Sequence, residues 1–165
     1  MKYQRLVLRY ADRVSGSSFS NPSFRVNLQV PYDKPVKVHL ESAFINTDKN
    51  STANQSYVRI ILKNTSAMNS IVSKDGGFIH DGVLGRIGFT EHQGHSTYNI
   101  YNLNSQYNDK EGALICFPNQ TFKLGILDLK LTYGENDSKP IIFQNDAVQD
   151  NYCIVLGIYC DDDEY

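Results

Sequence analysis

Glu91, His92 and His95 stand within one short polar stretch, and a carboxylate with two imidazoles is a recognised ligand set for zinc or iron. The strand-borne His-X-His pair with a downstream Glu that a metal-holding barrel presents is absent, so the stretch reads as a solvated loop between two strands. His39 and Glu41 share a strand face at i and i+2, but Lys37 joins them there, which makes a mutually compensating charged row. His80 adjoins Asp81 among glycines, in a loop with no nucleophile near it in sequence. No Ser sits in a Gly-X-Ser-X-Gly elbow, and nothing around Cys116 would hold it as a thiolate. Asp75-Gly76-Gly77 and Asp81-Gly82 are turn signals without the glycine spacing of a phosphate loop. Asp161 to Glu164, acids in a row on a segment with no fixed loop, would hold calcium only weakly. The residue types therefore point to no catalytic site, no metal and no cofactor; the chain reads as a non-enzyme.

Composition narrows the class further. At 165 residues the chain suits one domain with a hydrophobic core, and 41% apolar with 21% charged residues is ordinary for a globular protein. Eleven Tyr and eight Phe with no Trp lean towards strands. A formal net charge of -2 supplies no general attraction to nucleic acid. Lys2, Arg5, Arg9 and Arg13 make the first residues locally basic, and Asp161 to Glu164 make the last ones acidic. Cys116, Cys153 and Cys160 match no zinc-ribbon or redox spacing and cannot all pair, which points to a reducing compartment. Cys153 and Cys160 are an odd number of positions apart, so on one strand they face opposite sides and serve as small apolar residues. Met1 to Tyr10 lacks the apolar core of a secretory signal and no apolar run is long enough to span a bilayer, so the expectation is a soluble protein made in the cytosol. The Asn-X-Ser/Thr triplets at Asn50, Asn54, Asn64, Asn119 and Asn136 are read as loop composition.

The elements that must carry these residues are strands. Tyr3 to Tyr10 alternates Leu6, Leu8 and Tyr10 against Arg5, Val7 and Arg9. Ser23 to Val30 is the cleanest alternation, with Phe24, Val26, Leu28 and Val30 inward. Val36 to Ile45 places Val36, Val38, Leu40 and Phe44 on one face, and a polar loop from Asn46 to Ser56 closes it. Tyr57 to Lys63 and Val83 to Phe89 follow the same pattern, the second around two glycines that mark a bend or a close backbone approach. Between them, Met68, Ile71 and Val72 suggest a short helical turn within Asn64 to Asp81. Tyr98 to Leu103, Ala113 to Phe117 and Pro140 to Phe143 read as short strands, and Tyr152 to Tyr159 as the closing one. In Pro118 to Tyr133 the phase slips by one: Phe122, Leu124 and Ile126 give way to Leu127, Leu129, Leu131 and Tyr133. Such a slip marks a bulge or a strand changing partners. The predicted fold is all-β: an antiparallel β-sandwich, a single jelly roll of about eight strands. Residues 1–20 form an N-terminal segment, a strand or a partner-contacting arm; 21–160 the jelly-roll domain; and 161–165 an acidic tail.

The strand order and two segments resemble the single-jelly-roll minor capsid and penton proteins of large icosahedral double-stranded DNA viruses and their virophages. The resemblance rests on Phe117-Pro118-Asn119 opening an alternating strand, Leu127-Asp128-Leu129 near its end, the turn at Gly134 to Asp137 and the closing Ile154-Val155-Leu156-Gly157-Ile158. Asn27 to Ile45, a strand, a Pro-bounded turn and a strand ending in Ser42-Ala43-Phe44-Ile45, matches the general layout. It implies a structural component of the virion, assembled in the host cytoplasm, with the major capsid protein and other minor capsid proteins as partners. No binding to nucleic acid and no membrane span are expected. A penton that forms a pentamer is the close alternative. A carbohydrate-binding jelly-roll lectin, stacking sugars on Tyr98, Tyr101 and Tyr107, is the alternative from another class, and cupin-type metal catalysis stands last.

Overall fold

A computed structural model describes residues 2–29, 36–48, 57–63, 70–72, 78–80, 82–92, 98–104, 114–116, 125–134, 141, 143 and 151–160. The elements are β1 (Lys2–Arg9), β2 (Ser23–Arg25), β3 (Val36–Asp48), β4 (Tyr57–Leu62), β5 (Ser70–Val72), β6 (Phe78–His80), β7 (Val83–His92), β8 (Tyr98–Asn104), β9 (Leu114–Cys116), β10 (Ile126–Tyr133) and β11 (Tyr152–Cys160), with one 3-10 turn at Tyr10–Asp12. Every strand pair is antiparallel. Hydrogen bonds link the strands in the order β1-β11-β3-β8-β7-β4-β10-β2, with β9 beside β3 and β5-β6 a separate hairpin.

Setting aside β5, β6 and β9 leaves eight strands, and numbering these along the chain turns the order into 1-8-3-6-5-4-7-2. That is the jelly roll: one layer of β1-β11-β3-β8, a second of β7-β4-β10-β2, each strand paired with a partner distant in sequence. The corner between the layers is β7, whose first part pairs with β4 and whose end, at Phe89, Glu91 and His92, pairs with β8 across an irregular register. The all-β sandwich anticipated from alternation is therefore the fold. Among the described residues no helix is long and apolar enough to cross a membrane.

The core forms because alternating positions of both layers point at each other. Leu8, Val38, Leu40, Ile45, Ile154, Leu156 and Ile158 come from the first layer, and Phe24, Val58, Ile60, Leu62, Ile87, Leu127, Leu129 and Leu131 from the second. Burying each such side chain contributes about 1.5–3 kcal/mol. Tyr10 closes one end, its ring stacked on Phe19 at 5.0 Å and edge-on to Phe143 and Tyr152, while the Arg13 guanidinium lies 3.9 Å from the centre of Phe19. Residues 10–19 are thereby packed onto the sandwich whose edge strand precedes them.

Several local expectations are corrected. The alternation of Ser23 to Val30 yields a strand only over Ser23–Arg25; Leu28 is buried beyond it, but Gln4 occupies the backbone there, its amide donating to Asn27 O at 2.6 Å and accepting from Gln29 N at 2.9 Å. Val30 lies outside the described residues. The strand starting at Val36 continues to Asp48, so Asn46 to Asp48 belong to it and not to the loop. Phe44 is exposed and does not share the face of Val36, Val38 and Leu40: the β3–β11 register skips Glu41, which moves Ala43, Ile45 and Thr47 inward. Ile71 and Val72 lie in the β5–β6 hairpin, not a helical turn, and Met68 is outside the described residues. Ile141 and Phe143 are buried but lie in no strand; Ile141 N donates to Leu131 O at 3.1 Å. The phase slip before Leu127 falls at Gly125, which has a φ of 68° and leaves only 3.1 Å between an added Cβ and Val26 O. A left-handed glycine re-aims the chain there, and β10 begins one residue later.

Candidate functional site

The two layers present different outer faces. On the second layer, Arg59 and Thr132 point away from the core yet are only 4% and 0% exposed, and Arg59 Nε donates to Thr132 Oγ1 at 3.2 Å. On the first layer the outer face is exposed along β1 and at Phe44 of β3, whereas Val155 and Tyr159 on β11 between them are only 8% exposed. Tyr3 at 48%, Val7 at 53% and Phe44 at 36% are the large hydrophobic side chains exposed among the described residues, and all three lie on this face.

The face is built by register. β1 contributes Tyr3, Arg5, Val7 and Arg9; β11 contributes Tyr159, Gly157, Val155 and Cys153 opposite them in that order. β3 completes the rows with Lys37, His39, Ser42 and Phe44. Glu41, displaced at the register shift, becomes the hub of this face. Its Oε1 accepts from Tyr3 OH at 2.6 Å and from Tyr159 OH at 3.3 Å, and its Oε2 lies 3.1 Å from Arg5 Nε. The Tyr3 and Tyr159 rings sit 4.9 Å apart. Gly157 makes the arrangement fit, since a Cβ there would come within 2.6 Å of Glu41 Oε1 and 2.9 Å of the Tyr159 ring.

Electrostatics follows from this packing. Desolvation of its hydroxyl, aided by the hydrogen bond to Glu41 and that carboxylate's charge, pushes Tyr3 up to about 12. Tyr159 is raised for the same reasons, desolvation first. Burial beside the other aromatic rings raises Tyr152 as well. A phenol that holds its proton more tightly when folded makes unfolding release a proton in the window between the two values. Stability then falls as pH rises from about 10 to about 12. Gly157→Ala, by displacing Glu41, brings the Tyr3 phenolate absorbance titration down towards 10.0 and weakens this alkaline slope, measurable by ultraviolet titration alongside denaturation at each pH. An unchanged titration in that variant would separate Tyr3 from Glu41.

The residues considered for metal or acid-base chemistry are not brought together by the described structure. Glu91 and His92 fall on the last residues of β7, and His95 lies outside the described residues. His39 and Glu41 do share the outer face of the first layer, where Glu41 is held by Tyr3, Tyr159 and Arg5. His80 ends β6, while Asp81, Asp75-Gly76-Gly77, Tyr107 and Asp161 to Glu164 lie outside the described residues, as do all the Asn-X-Ser/Thr asparagines. Gly82 accepts from Leu62 N at 2.8 Å through its carbonyl. Tyr98 and Tyr101 are on β8, and Cys116 is on β9 opposite Val36. Cys160 is buried in the core and Cys153 is half-buried on the opposite face, as odd spacing on one strand requires. Among the described residues no group of three or more His, Cys, Asp or Glu is placed to hold a metal ion.

Alternation alone sets Glu41 beside Lys37 and His39 and gives no sign of its contacts with Tyr3, Tyr159 and Arg5. The available signal was the adjacent pair Glu41-Ser42, which separates Val36, Val38 and Leu40 from Ala43 and Ile45. The partners Tyr3, Arg5 and Tyr159 are distant in sequence and become neighbours only through the β1–β11–β3 pairing. No protein-family model matches the chain, and no curated protein matches it.

Proposed function

We propose that this chain is a structural subunit of an icosahedral double-stranded DNA virus: a minor capsid protein that packs against the major capsid capsomers and stabilises the shell. The observation that carries the proposal is the eight-strand order 1-8-3-6-5-4-7-2, whose first layer exposes Tyr3, Val7 and Phe44 on its outer side. The segments at Phe117 to Asn119, Leu127 to Leu129 and Ile154 to Ile158, which resemble those of single-jelly-roll capsid proteins, support it. A building brick needs surfaces and no pocket, because many modest contacts repeated around a closed shell add up to a stable assembly. Fold alone does not fix function, so the support lies in the fold and these exposed apolar side chains taken together.

Quantitative mass spectrometry of gradient-purified particles tests the reading, with a fixed ratio of this chain to the major capsid protein as the expected result. A ratio that drifts towards zero with each purification step would contradict it. The mass of the isolated protein in solution distinguishes the shell component, a monomer or dimer, from a penton, a stable pentamer held by a head-to-tail ring interface.

A further inference from the structure

The first and last strands bring two tyrosines together at the surface. Tyr3 on β1 stands directly opposite Tyr159 on β11 in the register, which sets their side chains on the same face as immediate neighbours. The rings are 4.9 Å apart and tilted by 37°, and both hydroxyls donate to one oxygen, Glu41 Oε1, at 2.6 and 3.3 Å. A shared acceptor turns the hydroxyl ends of the two rings towards each other, and with them the Cε carbons that flank each hydroxyl. Arg5 Nε lies 3.1 Å from Glu41 Oε2 and leaves Oε1 to the phenols. Gly157 allows the group to close up, since a Cβ there would come within 2.6 Å of Glu41 Oε1 and 3.1 Å of the Tyr159 hydroxyl. Tyr3 is 48% exposed and Tyr159 8%, so an outside reagent reaches one ring and finds the other against it. Tyr10 and Tyr152 make the contrast: their rings are 5.2 Å apart, but they meet edge-on at 77° and are only 2% and 1% exposed.

We propose that Tyr3 and Tyr159 form a site of oxidative cross-linking, at which a haem peroxidase supplied with hydrogen peroxide joins them as dityrosine. The oxidised haem takes one electron from each phenol, and each hydroxyl proton leaves to Glu41 and from there to water. The two phenoxyl radicals couple through one Cε of each ring. The hydrogen on each coupled carbon then moves as a proton to the oxygen of its ring, which restores both phenols. The chain has lost two hydrogen atoms, and the peroxide, taking up two electrons and two protons, has become two waters. Tyr3 holds its proton up to about 12, so near neutral pH the proton must leave with the electron, and a carboxylate already bonded to it is the base placed to receive it. Rings held in contact couple within one chain faster than rings that must meet by diffusion. β1 is an edge strand, hydrogen-bonded to β11 alone among the described strands, and the new bond would pin it there. Like a disulfide that closes a long loop it restricts the unfolded chain, and thiols do not cleave it. Cross-linking depends on the β1–β11 register and not on the capsid reading.

Treatment of the dilute full chain with a haem peroxidase and limiting hydrogen peroxide, followed by dityrosine fluorescence, intact mass and tandem mass spectrometry of a digest, tests the proposal. The expected result is a product of single-chain mass, lighter by two hydrogen atoms, in which the peptide carrying Tyr3 is joined to the peptide carrying Tyr159. It melts at a higher temperature than the untreated chain. Tyr3→Phe and Tyr159→Phe each abolish this product, and far-UV spectra of both variants verify that they fold. Glu41→Gln slows its formation by about tenfold or more and makes the rate rise with pH, because hydroxide must then take the protons. No link forms between Tyr10 and Tyr152. Oxidised chains without the Tyr3–Tyr159 link, Tyr3 coupled only between separate molecules, or a rate in Glu41→Gln equal to that of the parent at every pH would overturn the proposal.

Discussion

Gly85→Ala lowers the unfolding free energy by about 1–3 kcal/mol, and truncating Leu40 in the same chain gives part of that loss back. The two residues lie on different layers, Gly85 on β7 and Leu40 on β3, and a Cβ at Gly85 would collide with Leu40 Cδ2. Leu40 is 4% exposed in a packed interior, so it cannot swing aside without disturbing its neighbours. Leu40→Ala alone costs about 2–5 kcal/mol through lost burial and the cavity it leaves. In the double variant the new methyl occupies space that Leu40 has vacated, and the two costs sum to less than their separate values by about 1 kcal/mol or more. Urea unfolding of the four proteins in the cycle gives this coupling directly. Additive costs would mean that the layers do not face each other at this point.

Leu131→Ala and Val7→Ala remove apolar carbon from similar strand positions and are expected to differ severalfold in effect. Leu131 is fully buried on β10, where β4 pairs with it on one side and Ser20 O accepts from its amide at 2.8 Å. Its truncation costs about 2–5 kcal/mol. Val7 points outward from β1 and is 53% exposed, so its truncation changes stability by about 0.5 kcal/mol or less. Equal losses from the two substitutions would show that the assignment of inside and outside on either strand is wrong.

Inside and outside were legible from sequence wherever a strand keeps one phase. β1 and β4 follow the alternation read from single residues, with Leu8, Tyr10, Val58, Ile60 and Leu62 buried, because one face of each strand must supply apolar side chains to the core at every second position. Where the structure departed, a local backbone event had reset the phase. At Glu41 the reset moved Phe44 to the surface, and in β7 the register with β4 skips Leu84, which joins the core cluster while Val83, opposite Ile61, is buried outside it. At Gly125 the slip was legible, but its cause, a positive φ under the carbonyl of Val26, needed coordinates. The segment after Arg25 shows another limit: Val26 and Leu28 alternate as a strand would, but the side chain of Gln4 supplies hydrogen bonds that a neighbouring strand would otherwise make. The outer face of the first layer was legible only in part, because the neighbours of Glu41 come from strands at both ends of the chain. Sequence spacing carries no information about such pairs until the order of the sheet is known.

Cryo-electron microscopy of purified virus particles, at a resolution that traces strands, tests the central claim most directly. The account predicts an eight-strand jelly roll with this strand order at fixed positions in the icosahedral lattice, in contact with the major capsid capsomers. A complete shell in which every jelly roll is assigned to other chains, with no density left for this one, would contradict it.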